Sequence, residues 1–405
     1  MNKKFLLLFL FFVNGLLAQT GNDELLRRGI IFGQQKQYKE ALAAFSQYIQ
    51  QYPKNASGYY NRGAIYSAMG SLSTAIADYT KAIELDPKLV VAYLNRGAGY
   101  GELNMYKEAV ADYDKAIELA PKMPEVYNNR GYLYNLLDKP QEAISDYSKA
   151  IELNPKYVKA YVNKAIAVSE TGDKNGAITI LSHLIELVPD APEAYMNRAA
   201  LYQQINDQHK ALMDYDEGIK LTQTDLKAYL ARSKIRDDTG NDIGAIKDAE
   251  AAIGLDSANA DGYYLKARAE YDLNYYTDVI NDCSKAIALK PDYEEAYTLR
   301  GNVYDSQKQY IEALKDYNKA IELKPNDVEP YMQRAIAKAL QQDYVGSLSD
   351  LTRVLELNPN YIKALIMRGD LYAMQGQKKF ACNDYSRAEA LGDGSAISKR
   401  MFNCN

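Results

Sequence analysis

A basic residue and an aspartate recur along this chain sixteen residues apart, as in Arg130 and Asp146. Tyr127 lies three residues before Arg130 and Tyr134 four residues after it, so a helix would place all three on one buried stripe. A buried guanidinium and carboxylate can perform acid–base or substrate-binding chemistry, or can satisfy each other inside a protein. How often the pair occurs along the chain distinguishes these two roles.

Repetition favours the structural role. A pair that returns in almost every segment is typical of a scaffold, whereas a catalytic site occurs once. Two segments lack the acid, with Ala44 opposite Arg28 and Ile180 opposite Lys164, and there we expect the cation to reach solvent or another acceptor. The predicted structural ion pairs include Arg62–Asp78, Arg96–Asp112, Arg130–Asp146, Arg198–Asp214 and Arg300–Asp316.

No other residues form a recognisable catalytic or metal-binding constellation. His183 and His209 are the only histidines, and neither has partners at a spacing that would build a metal or acid–base site. The chain also lacks a glycine-rich phosphate loop and paired-cysteine zinc spacing. We therefore expect a protein that is not an enzyme and has no cofactor or metal.

The elements that position the charges belong to a unit of 34 residues, written eleven times between residues 22 and 395. With Asn22 as position 1, position 8 is small, position 20 is usually alanine, position 24 is usually aromatic and position 32 is often proline. The units start at residues 22, 56, 90, 124, 158, 192, 226, 260, 294, 328 and 362.

Each unit is predicted to form two antiparallel helices joined by a turn near position 15, so that positions 7 and 23 lie opposite each other. In the fourth unit we expect Asp138 to cap the second helix and Pro140 to open its first turn. One helix pair buries too little apolar surface to be stable, and neighbouring pairs must stack into a solenoid.

These marks resemble the tetratricopeptide repeat, with tyrosine at position 4 where that family often has tryptophan. The resemblance implies an all-α fold, a right-handed superhelical solenoid of eleven helix pairs with a concave inner surface. We predict a signal peptide over residues 1–18, the repeat array over 19–395 and a short C-terminal capping helix over 396–405.

In that family the first helix of each unit lines the concave groove. Position 6 is asparagine in five consecutive units, which resembles the asparagine ladder of O-linked N-acetylglucosamine transferase, and an amide can grip an extended peptide backbone. The alternative is that these amides bond only to water or to one another. The expected groove residues are Asn61, Asn95, Asn129, Asn163 and Asn197, flanked at position 5 by Tyr60, Leu94, Asn128, Val162 and Met196.

Later units differ from this pattern. We predict a second, charged subsite in them, although exposed charges usually only solvate a surface. No unit combines the lysine at position 5 and asparagine at position 9 that the family's carboxylate clamp needs, so chaperone-tail binding is not expected. The charged subsite comprises Lys234, Arg268, Asp237, Asp238, Asp272 and Asp305.

The first residues have the layout of a secretory signal peptide. Lys3 and Lys4 precede an apolar run, and small residues near Ala18 offer a cleavage site, with cleavage after Gly15 also reasonable. We expect an exported protein, periplasmic or extracellular, with no integral membrane association after cleavage. Removing the two lysines takes the formal net charge from −5 to −7, which argues against nucleic-acid binding.

Two of the three cysteines flank the last turn. Cys382 and Cys404 each lie eleven residues from Asp393, which would place them at one level of an antiparallel helix pair. Because an exported chain permits oxidation, we predict a disulfide between them. Cys283 occupies a core position, where it should be buried and inert.

The sequence therefore predicts a non-catalytic scaffold that binds a protein or an extended peptide segment in its groove, acting as a monomer. The alternative is a structural component of an envelope or secreted assembly that binds through its convex or end surfaces.

Overall fold

A computed structural model describes residues 24–404, and over that range it contains helices and no strands. The predicted signal peptide lies outside the described residues. Within them, no helix is both long enough and apolar enough to cross a membrane.

The chain divides into two compact units, and the first extends to Leu221. It contains six consecutive helix pairs, each packed against the next. Its helices are α1 Glu24–Gln34, α2 Tyr38–Gln51, α3 Ala56–Ala68, α4 Leu72–Leu85, α5 Val90–Glu102, α6 Tyr106–Leu119, α7 Pro124–Leu136, α8 Pro140–Leu153, α9 Val158–Glu170, α10 Lys174–Leu187, α11 Pro192–Gln204 and α12 Gln208–Leu221.

The second compact unit begins at Thr222 and contains five helix pairs followed by one additional helix. That last helix packs against α22, as expected of a cap. The helices are α13 Leu226–Asp238, α14 Asp242–Leu255, α15 Ala260–Asp272, α16 Tyr276–Leu289, α17 Glu294–Ser306, α18 Tyr310–Leu323, α19 Val328–Leu340, α20 Tyr344–Leu357, α21 Ile362–Met374, α22 Lys378–Ala390 and α23 Gly394–Cys404. The predicted all-α array of eleven helix pairs with a C-terminal capping helix is thus confirmed.

From the second pair onward, each first helix begins at the first residue of a 34-residue unit. Several first and second helices begin after a residue whose side chain accepts a hydrogen bond from a free backbone N–H of the first turn. These capping residues are Asn55, Asp173, Asp225, Asn241, Asn259, Asp327 and Asp343.

The turn inside every pair places position 15 in the left-handed region, with φ between 58° and 96°. Glycine, asparagine and aspartate tolerate this region best. The expected cap at Asp138 is therefore wrong: Asp138 is the left-handed turn residue, Lys139 is the N-cap of α8, and Pro140 does open that helix. The eleven turn residues are Lys36, Gly70, Asn104, Asp138, Gly172, Asn206, Gly240, Asn274, Lys308, Gln342 and Gly376.

In the core of each helix pair, the residue at position 8 packs against the residue at position 24. A Cβ added to Gly131 would lie 2.9 Å from the ring of Tyr147, closer than real Cβ contacts. Where position 8 is larger, position 24 is usually smaller, as with Ala165 and Leu181 or Ala267 and Cys283. The two helices therefore keep a close approach in both kinds of unit.

Candidate functional site

The structure brings together the charged residues that the repeat spacing places opposite each other. In the fourth unit, Arg130 donates from Nε to Asp146 Oδ2 at 2.7 Å and from Nη2 to Asp146 Oδ1 at 2.7 Å. Asp146 is buried, and the Arg130 side chain is 18% exposed. Two parallel hydrogen bonds satisfy both charges in one geometry. The same paired bonds join Arg62 to Asp78, Arg96 to Asp112, Arg198 to Asp214 and Arg300 to Asp316.

Each of these arginines also reaches the preceding unit, which sequence analysis missed. Arg96 Nη1 donates to Thr80 Oγ1 at 3.0 Å, and Arg130 Nη1 donates to Asp114 Oδ1 at 2.6 Å. The acceptor always occupies position 25 of the preceding unit, where small polar residues recur. One guanidinium thus joins the two helices of its own pair and the second helix of the pair before it.

Electrostatics agree with a structural role for these pairs. Burial raises the pKa of Asp112, and the hydrogen bond from Arg96 opposes that shift. The hydrogen bond to Asp112 is the largest influence on Arg96 and raises its pKa. Arg96 donates a hydrogen bond to each of the two carboxylate oxygens of Asp112, so the two charges satisfy each other.

The asparagine ladder is less accessible than the repeat pattern suggests. Asn61 and Asn95 are only 7% and 8% exposed, and their amide groups donate to Ser57 O and Tyr60 Oη. Position 6 lies at the edge of the buried stripe, so close packing of adjacent first helices covers it. The flanking residues Tyr60, Leu94 and Asn128 are buried as well.

The half-buried part of the ladder comprises Asn129, Asn163 and Asn197. Asn163 donates to Asn128 Oδ1 at 2.9 Å, and Asn197 donates to Glu193 O at 2.7 Å. The side-chain oxygens of Asn163 and Asn197 accept no hydrogen bond from any residue between 24 and 404. These two amides can therefore accept a hydrogen bond from a ligand while their own donors stay engaged.

A cavity of about 350 Å³ opens between α9 and α11, beside Asn197. Ala165, Leu181 and Leu201 form its apolar base. Such a volume, apolar below and polar around the opening, fits an inserted side chain. The remaining lining residues are Ile166, Ser169, Glu170, Asn197, Ala200 and Gln204.

Sequence analysis did not single out Ile166 for this cavity, although one signal was present. Ile166 occupies position 9 of its unit, on the first helix that is expected to line the groove, and is 39% exposed despite its apolar side chain. An exposed isoleucine beside a cavity marks a surface suited to apolar contact.

The predicted charged subsite is assembled in part. Arg268 pairs with Asp237 and Asp238, joining α15 to α13. Lys234 is exposed, and no described acidic residue forms an ion pair with it. Asp305 lies in α17 with its Oδ1 atom buried and without a hydrogen-bond partner. Asp272 lies beside Asp237 and Asp242 in a carboxylate cluster described below.

The structure joins Cys382 in α22 to Cys404 in α23 through a disulfide, with the two Cα atoms 5.7 Å apart. Ion pairs from Lys399 to Asp370 and from Arg400 to Glu389 hold the same helix. Cys283 is a buried free thiol whose pKa is raised by burial.

Comparison with known families accounts for the repeated unit. Models of the tetratricopeptide repeat match residues 25–55, 56–89, 90–123, 124–157, 192–225 and 294–327. These six units are tetratricopeptide repeats. They coincide with helix pairs of the structure, and tetratricopeptide repeats form scaffolds that bind proteins or peptides.

The same fold occurs in a solved structure. Cut9, in the APC/C Cut9–Hcn1 hetero-tetramer, superposes with a TM-score of 0.50 over 96% of this chain and 98% of its own, at 13% identity. YrrB, described as a tetratricopeptide-repeat protein with an unusual peptide-binding site, is 26% identical over 47% of this chain and 97% of its own, with a TM-score of 0.39. A search of curated protein sequences gives no significant match.

Proposed function

We propose that this protein binds an extended peptide or protein segment along the first helices of its repeats, centred on the cavity between α9 and α11. The cavity carries the proposal, because it combines an apolar base with Asn197, whose side-chain oxygen accepts no hydrogen bond from the residues that the structure describes. An apolar ligand side chain would enter it beside Ile166, while Asn163 and Asn197 accept N–H groups of the ligand backbone.

We further propose that the protein is exported and acts as a monomer outside the cytoplasm. The basic and apolar composition of residues 1–18 supports export, and the disulfide between Cys382 and Cys404 suits an oxidising compartment.

A random-peptide phage library, panned on the full chain, tests the binding surface. We expect the selected peptides to lose at least about tenfold in affinity on Ile166→Glu, because a carboxylate at the opening must be desolvated when an apolar side chain enters. Asn197→Ala should also weaken binding, by removing an acceptor. Met213→Glu on α12 is the matched control, since Met213 is 58% exposed and does not line the cavity.

Equal affinities for wild type and Ile166→Glu would contradict the proposed site, as would a library that enriches no peptide. Circular dichroism of each variant shows that the helices are retained.

A further inference from the structure

Three carboxylates meet where α13, α14 and α15 come together. Asp237 lies near the end of α13, Asp242 is the first residue of α14 and Asp272 is the last residue of α15. One oxygen from each lies within 4.8 Å of the others. The sequence predicts a charged subsite here, but no metal site.

Two oxygens in this cluster are buried without a hydrogen-bond partner. They are Oδ1 of Asp237 and Oδ1 of Asp242. The Asp237 side chain is only 3% exposed, and its other oxygen, Oδ2, is the one that contacts Arg268. Leaving a buried carboxylate oxygen without a partner is unfavourable, so these two atoms need an explanation.

Arg268 compensates only part of the negative charge. It pairs with Asp237 and with Asp238, while Asp242 and Asp272 form no ion pair with any residue in the described range. Of the four carboxylates, only Asp237 and Asp238 are therefore paired with the guanidinium of Arg268.

We propose that Asp237, Asp242 and Asp272 bind a calcium ion. Calcium binds six to eight oxygen ligands at about 2.3–2.6 Å in flexible geometry, so three carboxylate oxygens within 4.8 Å of one another are close enough to contact one ion. Magnesium demands nearly ideal octahedral geometry, whereas calcium accepts irregular geometry, which suits carboxylates supplied by three separate helices. Waters would complete the calcium shell.

The surrounding helices support a cation at this junction. The C-terminal ends of α13 and α15, which supply Asp237 and Asp272, carry the negative ends of their helix dipoles. A bound ion would connect α13, α14 and α15, which belong to two successive repeats. It would therefore stabilise the folded form of this region increasingly as the calcium concentration rises above the dissociation constant.

Isothermal titration of CaCl₂ into the full chain, freed of metals with EDTA, tests the site. We expect one saturable site with a dissociation constant of roughly 10⁻⁵–10⁻³ M and a thermal midpoint that rises with calcium. Asp272→Asn and Asp242→Asn should each weaken binding at least about tenfold, since each removes a charged ligand. Asp278→Asn is the control, because Asp278 is an exposed acidic residue in the first turn of α16, outside the cluster.

The proposal fails if the wild type shows no saturable binding and no thermal shift at several millimolar calcium. It also fails if Asp272→Asn binds calcium as tightly as wild type, or if MgCl₂ binds more tightly than CaCl₂. Circular dichroism separates lost binding from lost folding in the variants.

Discussion

At the scale of single residues, Glu270 departs from the repeat pattern. It replaces the tyrosine usual at position 11 and is buried, with Oε1 3.2 Å from Lys266 Nζ and Oε2 without a hydrogen-bond partner. Burial, with the nearby charge of Asp282, raises the pKa of Glu270 to about 7, and Lys266 only partly opposes this shift. The carboxyl group therefore gains a charge in the folded protein at a cost in stability.

We predict that Glu270→Gln stabilises the protein above pH 7. Between the ordinary carboxyl pKa and about 7, the folded state keeps a proton that the unfolded state has lost, so the stability of the wild type falls as pH rises through this window. The variant should be more stable than wild type by up to about 3 kcal/mol at pH 8, and the difference should shrink towards pH 4.5. Urea denaturation at several pH values measures it. Glu250→Gln, at an exposed partner of Lys266, should give no such pH-dependent difference.

At the scale of elements, the left-handed turn residue ends the first helix of every pair. Eight of the eleven turns use glycine, asparagine or aspartate, but Lys36, Lys308 and Gln342 do not. We predict that Lys308→Gly stabilises the protein by about 1 kcal/mol, because it removes the unfavourable contact of a Cβ at positive φ. Gly70→Ala should destabilise by a similar amount, since open space around Gly70 leaves only the backbone effect. Unchanged denaturation midpoints for both variants would contradict this explanation.

How much of the fold and the site could be predicted also differs among elements. Arg130 and Asp146 follow from sequence, because positions 7 and 23 lie equally far from the turn inside one unit. The contact of Arg130 with Asp114 could not be predicted, since it depends on how one pair packs on the next. Asn61 and Asn95 lie at the boundary between core and groove, where a small rotation of the helix decides burial, and periodicity does not resolve such a rotation.

At the scale of the whole molecule, stability in a repeat array comes from contacts between neighbouring units, so a local change should stay local. We predict that Cys404→Ser loosens α22 and α23, because the disulfide closes a segment with a sequence separation of 22, a constraint worth roughly 3 kcal/mol. Hydrogen exchange should rise in these helices while α3 to α6 keep wild-type protection. Equal protection of α23 in both proteins would show that its ion pairs suffice, and faster exchange throughout would contradict local coupling.

Peptide binding at the cavity between α9 and α11 is central to the proposed function, and photo-crosslinking tests it most directly. A photoreactive phenylalanine analogue replaces Ile166 in one protein and Met213 in another, both at exposed apolar positions. Each protein is irradiated with a peptide selected on the wild type. The proposed function predicts a crosslink from position 166 and none from position 213. A crosslink from position 213 alone, or equal yields from both positions, would contradict it.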